Sequence, residues 1–117
     1  MGGRQPSKWA VHLKMGYMGE KEFNEFLESG ESHLAVVHFS AKWCGPCKMI
    51  RPLVHELAVR YENVLFGSVD VDLAEDVAHL CNIVTLPTFQ FFIKGEKIFE
   101  ITSANAKKLE AKIKELM

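Results

Sequence analysis

Residues 34–47 read LAVVHFSAKWCGPC, and the fold and chemistry expected of this chain both follow from this stretch. Its first half, residues 34–39, is nearly continuous in apolar residues, which is typical of a strand buried on both faces. Beyond Cys47, apolar residues recur with the spacing of one helical face, at Ile50, Leu53, Val54, Leu57, Ala58 and Tyr61. A Cys-x-x-Cys pair where a buried strand meets a helix indicates a redox site.

The spacing of the two cysteines has a chemical reason. Thiol–disulfide exchange needs a thiolate that attacks and a second thiol close enough to resolve the mixed disulfide. At the start of a helix, unpaired backbone N–H groups and the positive end of the helix dipole favour a thiolate. Cys44 comes first and is expected to be the more exposed, so we predict that it is the nucleophile and that Cys47 resolves. Pro46 has a φ suited to the first helical turn, and Gly45 leaves room for the backbone of a partner.

Length and composition fit a small enzyme. The 117 residues are enough for one domain with a core of its own. Apolar residues make up 48% of the chain and charged residues 25%, which is ordinary for a soluble globular protein. The net charge of −1 gives no electrostatic reason to expect nucleic acid or membrane as a partner. Three cysteines are too few for a disulfide framework, which fits a reducing compartment.

The first residues contain no clear targeting signal for a cellular compartment. They lack an apolar block long enough for a secretory signal. Arg4, Lys8 and Lys14 precede the first acid, Glu20, which is a feature of transit peptides, but residues 9–15 are expected to serve the fold as a strand. We therefore expect a cytoplasmic protein with a flexible N-terminal extension over residues 1–9 and a single domain over residues 10–117.

Hydrophobic periodicity predicts alternating strands and helices. Strands are expected over residues 10–15, 34–40, 64–70, 88–93 and 97–101, and helices over residues 20–28, 46–61, 74–80 and 105–116. The last two strands flank Lys94-Gly95-Glu96 and predict a hairpin. Two βαβ-like passes followed by a hairpin imply an α/β fold with a mixed sheet and helices on both faces. Cys44 then falls at the carboxyl edge of the sheet, where such sheets bind their ligands.

Residues 39–50, FSAKWCGPCKMI, closely resemble the active-site segment of thioredoxins, particularly cytosolic eukaryotic ones. The resemblance continues through Val69-Asp70-Val71-Asp72, through Leu86-Pro87-Thr88-Phe89-Gln90-Phe91-Phe92 and through Lys108-Leu109-Glu110, and it covers roughly residues 10–117. It implies the thioredoxin fold, in which a mixed five-stranded sheet is flanked by four helices. It also implies an oxidoreductase that reduces protein disulfides and is itself recycled by an NADPH-dependent flavoprotein reductase.

The resemblance also assigns roles to residues beyond the cysteines. The family places the proline that matches Pro87 in a cis bond facing the cysteines, where the preceding residue, here Leu86, offers backbone hydrogen bonds to an extended substrate. Position alone would suggest an ordinary trans proline, because only ~5% of X–Pro bonds in folded proteins are cis. Trp43 is expected to be half exposed and to contribute to the groove for partner proteins, the alternative being a core tryptophan.

His38 departs from the family pattern, since thioredoxins usually carry a buried aspartate at this position beneath the cysteine pair. That aspartate is thought to help move the proton of the resolving thiol. A histidine, with an ordinary pKa near ~6.5, can also act as a general base, and burial would lower its pKa and keep it neutral. Two hypotheses follow. His38 accepts the proton of Cys47 directly or through water, or it fills the space while the proton leaves through solvent.

Two further residues invite alternative interpretations. Ser103 stands in a loop where the family commonly has glycine, and it either narrows the groove or caps the last helix, with the cap favoured. Cys81 shares the inner face of a short helix and is expected to pack in the core, the alternative being regulatory oxidation. The histidines show no metal-ligand spacing, and Cys44 and Cys47 make only half of a four-ligand zinc site, so no metal is expected.

These observations predict a thiol–disulfide oxidoreductase in which Cys44 attacks and Cys47 releases the reduced partner. Because the thiols carry the chemistry, no bound cofactor is expected. The expected partners are disulfide-containing client proteins and thioredoxin reductase, and the chain is expected to be a monomer. A redox-switched protein-binding module using the same groove is the main alternative. An oxidase or isomerase is less favoured because Gly-Pro, not Gly-His, separates the cysteines.

Overall fold

A computed structural model describes residues 19–30 and 32–117 of the protein. In chain order these residues form α1 (Glu20–Ser29), β1 (Ala35–Ser40), α2 (Gly45–Arg60), β2 (Leu65–Asp70), α3 (Glu75–Leu80), β3 (Thr88–Ile93), β4 (Glu96–Ile101) and α4 (Ala106–Leu116). Each of these elements begins and ends within one residue of the prediction. The strand predicted over residues 10–15 lies outside the described residues.

The sheet has the strand order β2-β1-β3-β4. β1 pairs in parallel with β2 and antiparallel with β3, and β3 pairs antiparallel with β4. The prediction of a mixed sheet with four helices is therefore confirmed. Of the five strands predicted, the described part of the chain contains four.

β1 lies inside the sheet, and its alternating side chains enter two separate cores. Val37 and Phe39 pack with apolar residues of α1 and α3. Val36 points to the opposite face, where it packs with apolar residues of α2 and α4. All six residues of β1 are buried, as expected for a strand covered on both sides. This arrangement fixes the end of β1, and hence the start of α2, relative to the whole sheet.

The β3–β4 hairpin closes through a tight turn at Lys94-Gly95. Both residues have positive φ, 54° for Lys94 and 81° for Gly95, which is the pattern of a type I′ turn. A turn of this hand matches the twist of the strands that it joins. None of the helices within residues 19–30 and 32–117 combines the length and the apolar character needed to cross a membrane.

Gly67 lies in β2 beneath α1, where the structure leaves no room for a side chain. A Cβ atom at this position would come within 2.7 Å of Cζ of Phe26, whose ring is buried in the core. We predict that Gly67→Ala lowers the free energy of unfolding by about 1–3 kcal/mol, the usual cost of overpacking a core. Urea denaturation of the oxidised protein measures the change.

The matched control is Gly45→Ala, because a Cβ at Gly45 would meet no atom within 4 Å. Since Gly45 lies in a helix, alanine there is expected to leave stability unchanged or to raise it by up to about 1 kcal/mol. Equal stability of the two variants would contradict the close packing of α1 on β2.

Candidate active site

Cys44 is the N-cap residue of α2. Its backbone is extended, with φ −83° and ψ 108°, and its N–H donates a hydrogen bond to the carbonyl of Ala41 at 3.1 Å. The N–H of Cys47 donates to Sγ of Cys44 at 3.2 Å. The sulfur therefore occupies the position in which a serine or aspartate oxygen commonly caps a helix. An anionic sulfur at this position is stabilised by that hydrogen bond and by the helix dipole.

Cys44 and Cys47 form a disulfide, with their Cα atoms 5.3 Å apart. Cys44 is 4% exposed and Cys47 is fully buried, so the order of exposure is the one that a nucleophile and a resolving cysteine need. Pro46 lies in the first turn of α2, where helix N–H groups have no intrahelical acceptor and its missing N–H leaves no gap in the helix. Gly45, the first residue of α2, has open space where a side chain would lie.

Three segments of the chain meet at the disulfide. Ala41, Val71 and Leu86 all pack against the cysteine pair. Val71 follows β2, and its N–H donates to the carbonyl of Ser40 at the end of β1, at 2.9 Å. Leu86 precedes β3, and the peptide bond between Leu86 and Pro87 is cis. The loop before Pro87 thus lies directly beside the cysteines.

Trp43 is 70% exposed, which excludes the alternative of a core tryptophan. Its indole Nε1–H donates to Oδ2 of Asp72 at 2.8 Å. Asp72 is itself held in place, since its N–H donates to Oδ1 of Asp70 at 2.9 Å. In the sequence, Asp72 stood out only as part of the segment Val69-Asp70-Val71-Asp72 that resembles thioredoxins. The hydrogen bond to Asp72 therefore restricts the orientation of the Trp43 ring.

His38 is buried on the side of β1 that α2 covers. Its ring stacks on Phe89 with the centroids 4.5 Å apart and the planes 15° from parallel. Burial, with smaller contributions from Arg51 and His55, lowers the pKa of His38 to about 3. Its Nε2 is buried and has no hydrogen-bond partner among the described residues. His38 is thus a neutral imidazole at physiological pH, in contact with apolar groups and close to two basic side chains of α2.

Ser103 does not cap the last helix, so that prediction is wrong. The N-cap of α4 is Asn105, whose Oδ1 accepts a hydrogen bond from the N–H of Lys108 at 3.0 Å. Ser103 lies two residues earlier and is exposed. Asparagine is as good a cap as serine, and here the chain turns into the helix at Asn105.

Cys81 is the free cysteine of the described residues and packs partly against the α1 side of the core. Burial raises the pKa of its thiol to about 11. Since the thiolate is the reactive form, this sulfur is poorly reactive at neutral pH. Within residues 19–30 and 32–117, no group of three or more histidine, cysteine or acidic residues is placed to hold a metal ion.

The sequence model of the family described as Thioredoxin matches residues 14–115. Human thioredoxin is 54% identical over 95 residues, which span 81% of this chain and 90% of that protein. The crystal structure of Fasciola hepatica thioredoxin superimposes with a TM-score of 0.84 at 33% identity, covering 86% of this chain and 96% of that one. The chain belongs to the thioredoxin family.

A further thioredoxin-like structure comes from work on the thiol resolving mechanism of the yeast mitochondrial 1-Cys peroxiredoxin via glutathione and thioredoxin systems. It superimposes with a TM-score of 0.79 at 35% identity and covers 85% of this chain and 92% of that one. Family membership together with the cysteine pair makes this protein a thiol–disulfide oxidoreductase, a protein-disulfide reductase of the thioredoxin type. The predictions of family and activity are confirmed.

The depressed pKa of His38 predicts how the stability of this thioredoxin depends on pH. Above pH 6.5, His38 is neutral in both the folded and the unfolded chain and has no effect. Below pH 6.5, His38 becomes protonated in the unfolded chain, whereas in the folded chain it stays neutral down to about pH 3. The free energy of unfolding therefore falls as the pH falls. His38 alone should lower the free energy of unfolding by about 2 kcal/mol between pH 7 and pH 5, a range in which most carboxylates remain ionised.

Chemical denaturation of the protein and of His38→Gln at both pH values tests this expectation. Glutamine is neutral throughout, so the variant should lose about 2 kcal/mol less than the unsubstituted protein between pH 7 and pH 5. Comparison of the two losses removes any constant effect of the substitution itself. Equal losses would mean that His38 is not buried as a neutral base.

Proposed function

We propose that Cys44 and Cys47 carry the reduction of client disulfides in two exchange steps. The Cys44 thiolate attacks one sulfur of the client disulfide, forms a mixed disulfide and expels the other client sulfur as a thiolate. Cys47 then loses its proton and attacks Sγ of Cys44, which releases the second client thiolate and leaves the bonded Cys44–Cys47 pair. Two electrons pass from the dithiol of this chain to the client.

The observation that supports these roles is the position of the Cys44 sulfur at the N-cap of α2. There it accepts the hydrogen bond from the N–H of Cys47 and stands at the positive end of the helix dipole. Those two interactions favour a thiolate on Cys44, which is the attacking group of the first step. Cys47, which is buried one turn further in, is reached by Cys44 and not by solvent.

Leu86, Pro87 and Trp43 are proposed to bind the client polypeptide. Leu86 packs on the cysteine pair, and the cis bond to Pro87 turns the chain at that point. Backbone groups of Leu86 would pair with an extended segment of the client, and the ring of Trp43 would cover its apolar side chains. Gly45 adds open space for the approach of the client backbone.

The remaining features of the proposal follow the family. The strand predicted over residues 10–15 would be the fifth strand of the sheet, and residues 1–9 would be an extension outside the domain. The protein would act as a monomer in the cytoplasm without a bound cofactor. An NADPH-dependent thioredoxin reductase would return the Cys44–Cys47 disulfide to the dithiol. The solved relative from the peroxiredoxin study supports peroxidases of that kind as one class of client.

Substitution of each cysteine tests the roles. In insulin reduction driven first by dithiothreitol and then by reductase and NADPH, Cys44→Ser and Cys47→Ser should both fall to background. Only Cys47→Ser retains the nucleophile without the resolving thiol, so it should accumulate client proteins from a cell extract as mixed disulfides that dithiothreitol releases. Mass spectrometry of the captured proteins identifies them.

The matched control is Cys81→Ser, which removes the remaining cysteine and should keep full turnover because the Cys81 thiol is not reactive at neutral pH. The double variant without Cys44 and Cys47 should capture nothing. If the unsubstituted protein bound clients without turning them over, and bound them still after reduction, the protein would be a binding module instead.

His38 is proposed to accept the proton of Cys47 during the second step. Its buried Nε2 has no hydrogen-bond partner among the described residues, and His38 lies on the face of β1 covered by α2, whose first turn contains Cys47. With a pKa of about 3 it cannot store the proton and must pass it on at once. We therefore expect His38→Gln to slow resolution of a trapped mixed disulfide by roughly 10-fold, below the usual range for a general base.

Stopped-flow measurement of resolution between pH 5 and pH 8 provides the test. The rate of the unsubstituted protein should show no inflection near pH 6.5, because His38 stays neutral over that range. His38→Asp should introduce an inflection, because burial raises the pKa of a carboxyl group. A rate and a pH profile left unchanged by His38→Gln would show that His38 only fills space.

A further inference from the structure

Two exposed apolar side chains outside the proposed groove of Trp43, Leu86 and Pro87 lie in the loops that bring Val71 and Leu86 to the cysteine pair. Val84 is 88% exposed and Leu73 is 51% exposed. Each is two residues from a side chain that packs on the cysteine pair, Val84 from Leu86 and Leu73 from Val71. Because two residues of extended chain span at most about 7 Å, the Cα atoms of Val84 and Leu73 lie within about 7 Å of those of Leu86 and Val71.

The loop that contains Leu73 is held by hydrogen bonds at several points. The side chain of Asp70 accepts from the N–H groups of Asp72 and Leu73, at 2.9 and 3.4 Å, and the carbonyl of Asp70 accepts from Leu73 at 3.1 Å. The carboxylate of Asp72 is engaged by the indole of Trp43. Leu73 therefore directly follows the residue that binds the Trp43 indole, and its backbone is held by hydrogen bonds.

The loop that contains Val84 is held in a similar way. The N–H of Ile83 donates to the carbonyl of Ala78 at 3.0 Å, and the hydroxyl of Thr88 donates to the carbonyl of Thr85 at 2.7 Å. Ile83 and Leu86, on either side, pack into the core on the α1 side. The outward position of Val84 is thus fixed by its neighbours, and a partner that covers it has little backbone to order.

We propose that Val84 and Leu73 determine specificity for client proteins whose reactive disulfide is flanked by apolar side chains. This inference rests on the proposed function, since the occupant is the client that Cys44 attacks. A client sulfur that reaches Cys44 brings its neighbouring residues within contact of both loops. Apolar neighbours would gain by covering Val84 and Leu73, whereas polar or charged neighbours would lose water there without an acceptor or donor in return.

The test uses two peptides that each contain one intramolecular disulfide, flanked in one by leucine and valine and in the other by serine and asparagine. The measured quantity is kcat/KM for each peptide. The preference is the value for the apolar peptide divided by the value for the polar peptide. The unsubstituted protein should prefer the apolar peptide by about tenfold, the effect of burying one aliphatic side chain. Val84→Asn and Leu73→Asn should each reduce this preference about threefold, and the double variant should nearly abolish it.

Val59→Asn is the matched control, because Val59 is also an exposed valine, 63% exposed, but lies near the far end of α2 from the cysteines. It should leave the preference unchanged. Reduction of 5,5′-dithiobis(2-nitrobenzoate), a small disulfide that need not touch the loops, should stay within about twofold in all variants. None of these substitutions changes the charge of the protein.

The outcomes separate this inference from the proposed function. If the unsubstituted protein reduces both peptides at equal rates, or if the double variant keeps the full preference, Val84 and Leu73 do not determine specificity, although the reductase activity stands. If it reduces neither peptide nor the small disulfide, the cysteine roles themselves are wrong.

Discussion

The hydrogen bond from the N–H of Cys47 to Sγ of Cys44 is the interaction on which the site depends. It exists because β1 ends at Ser40 and α2 begins at Gly45, so that Cys44 is the last residue with extended backbone and its side chain faces the first free N–H groups of the helix. A helix that began one turn later would leave the sulfur without this donor and away from the positive end of the dipole. The reactivity of the sulfur is therefore set by the position of a helix start, which in turn depends on the burial of β1.

The sheet topology brings the rest of the site to the same edge. β1 and β2 are parallel, so their carboxyl ends lie together, and the hydrogen bond from Val71 to the carbonyl of Ser40 joins the two loops that follow them. β3 runs antiparallel to β1, so its amino end lies at that edge and places Leu86 against the cysteines. Three connections far apart in sequence thus converge on one disulfide. The packing of both faces of the sheet holds them there.

The sequence allowed most of this to be predicted, for reasons that differ from residue to residue. The elements between residues 20 and 116 were predicted to within one residue because apolar periodicity reports burial directly. Individual side-chain contacts were harder to predict. Ser103 and Asn105 are both good caps, and only the backbone direction decides that Asn105 binds the N–H of Lys108. The contact between Trp43 and Asp72 joins residues 29 apart, and no local pattern distinguishes Asp72 from the other acids around it. The phase of α2 over β1, which brings Arg51 and His55 toward His38, likewise depends on packing.

His38 shows how one substitution changes the electrostatics beneath a disulfide. A buried carboxylate at this position would carry a negative charge whenever it had lost its proton, and that charge would oppose a thiolate on Cys47. A neutral imidazole brings no such opposition. The positive potential of Arg51, which helps to lower the pKa of His38, acts in the favourable direction on an anionic sulfur one turn away in the same helix. A carboxylate and His38 therefore differ in which step of deprotonating Cys47 costs free energy. A carboxylate that accepts the proton of Cys47 becomes neutral, so its cost is the burial of a negative charge before the transfer. With His38 the cost is the formation of a buried cation that must be discharged as soon as it forms.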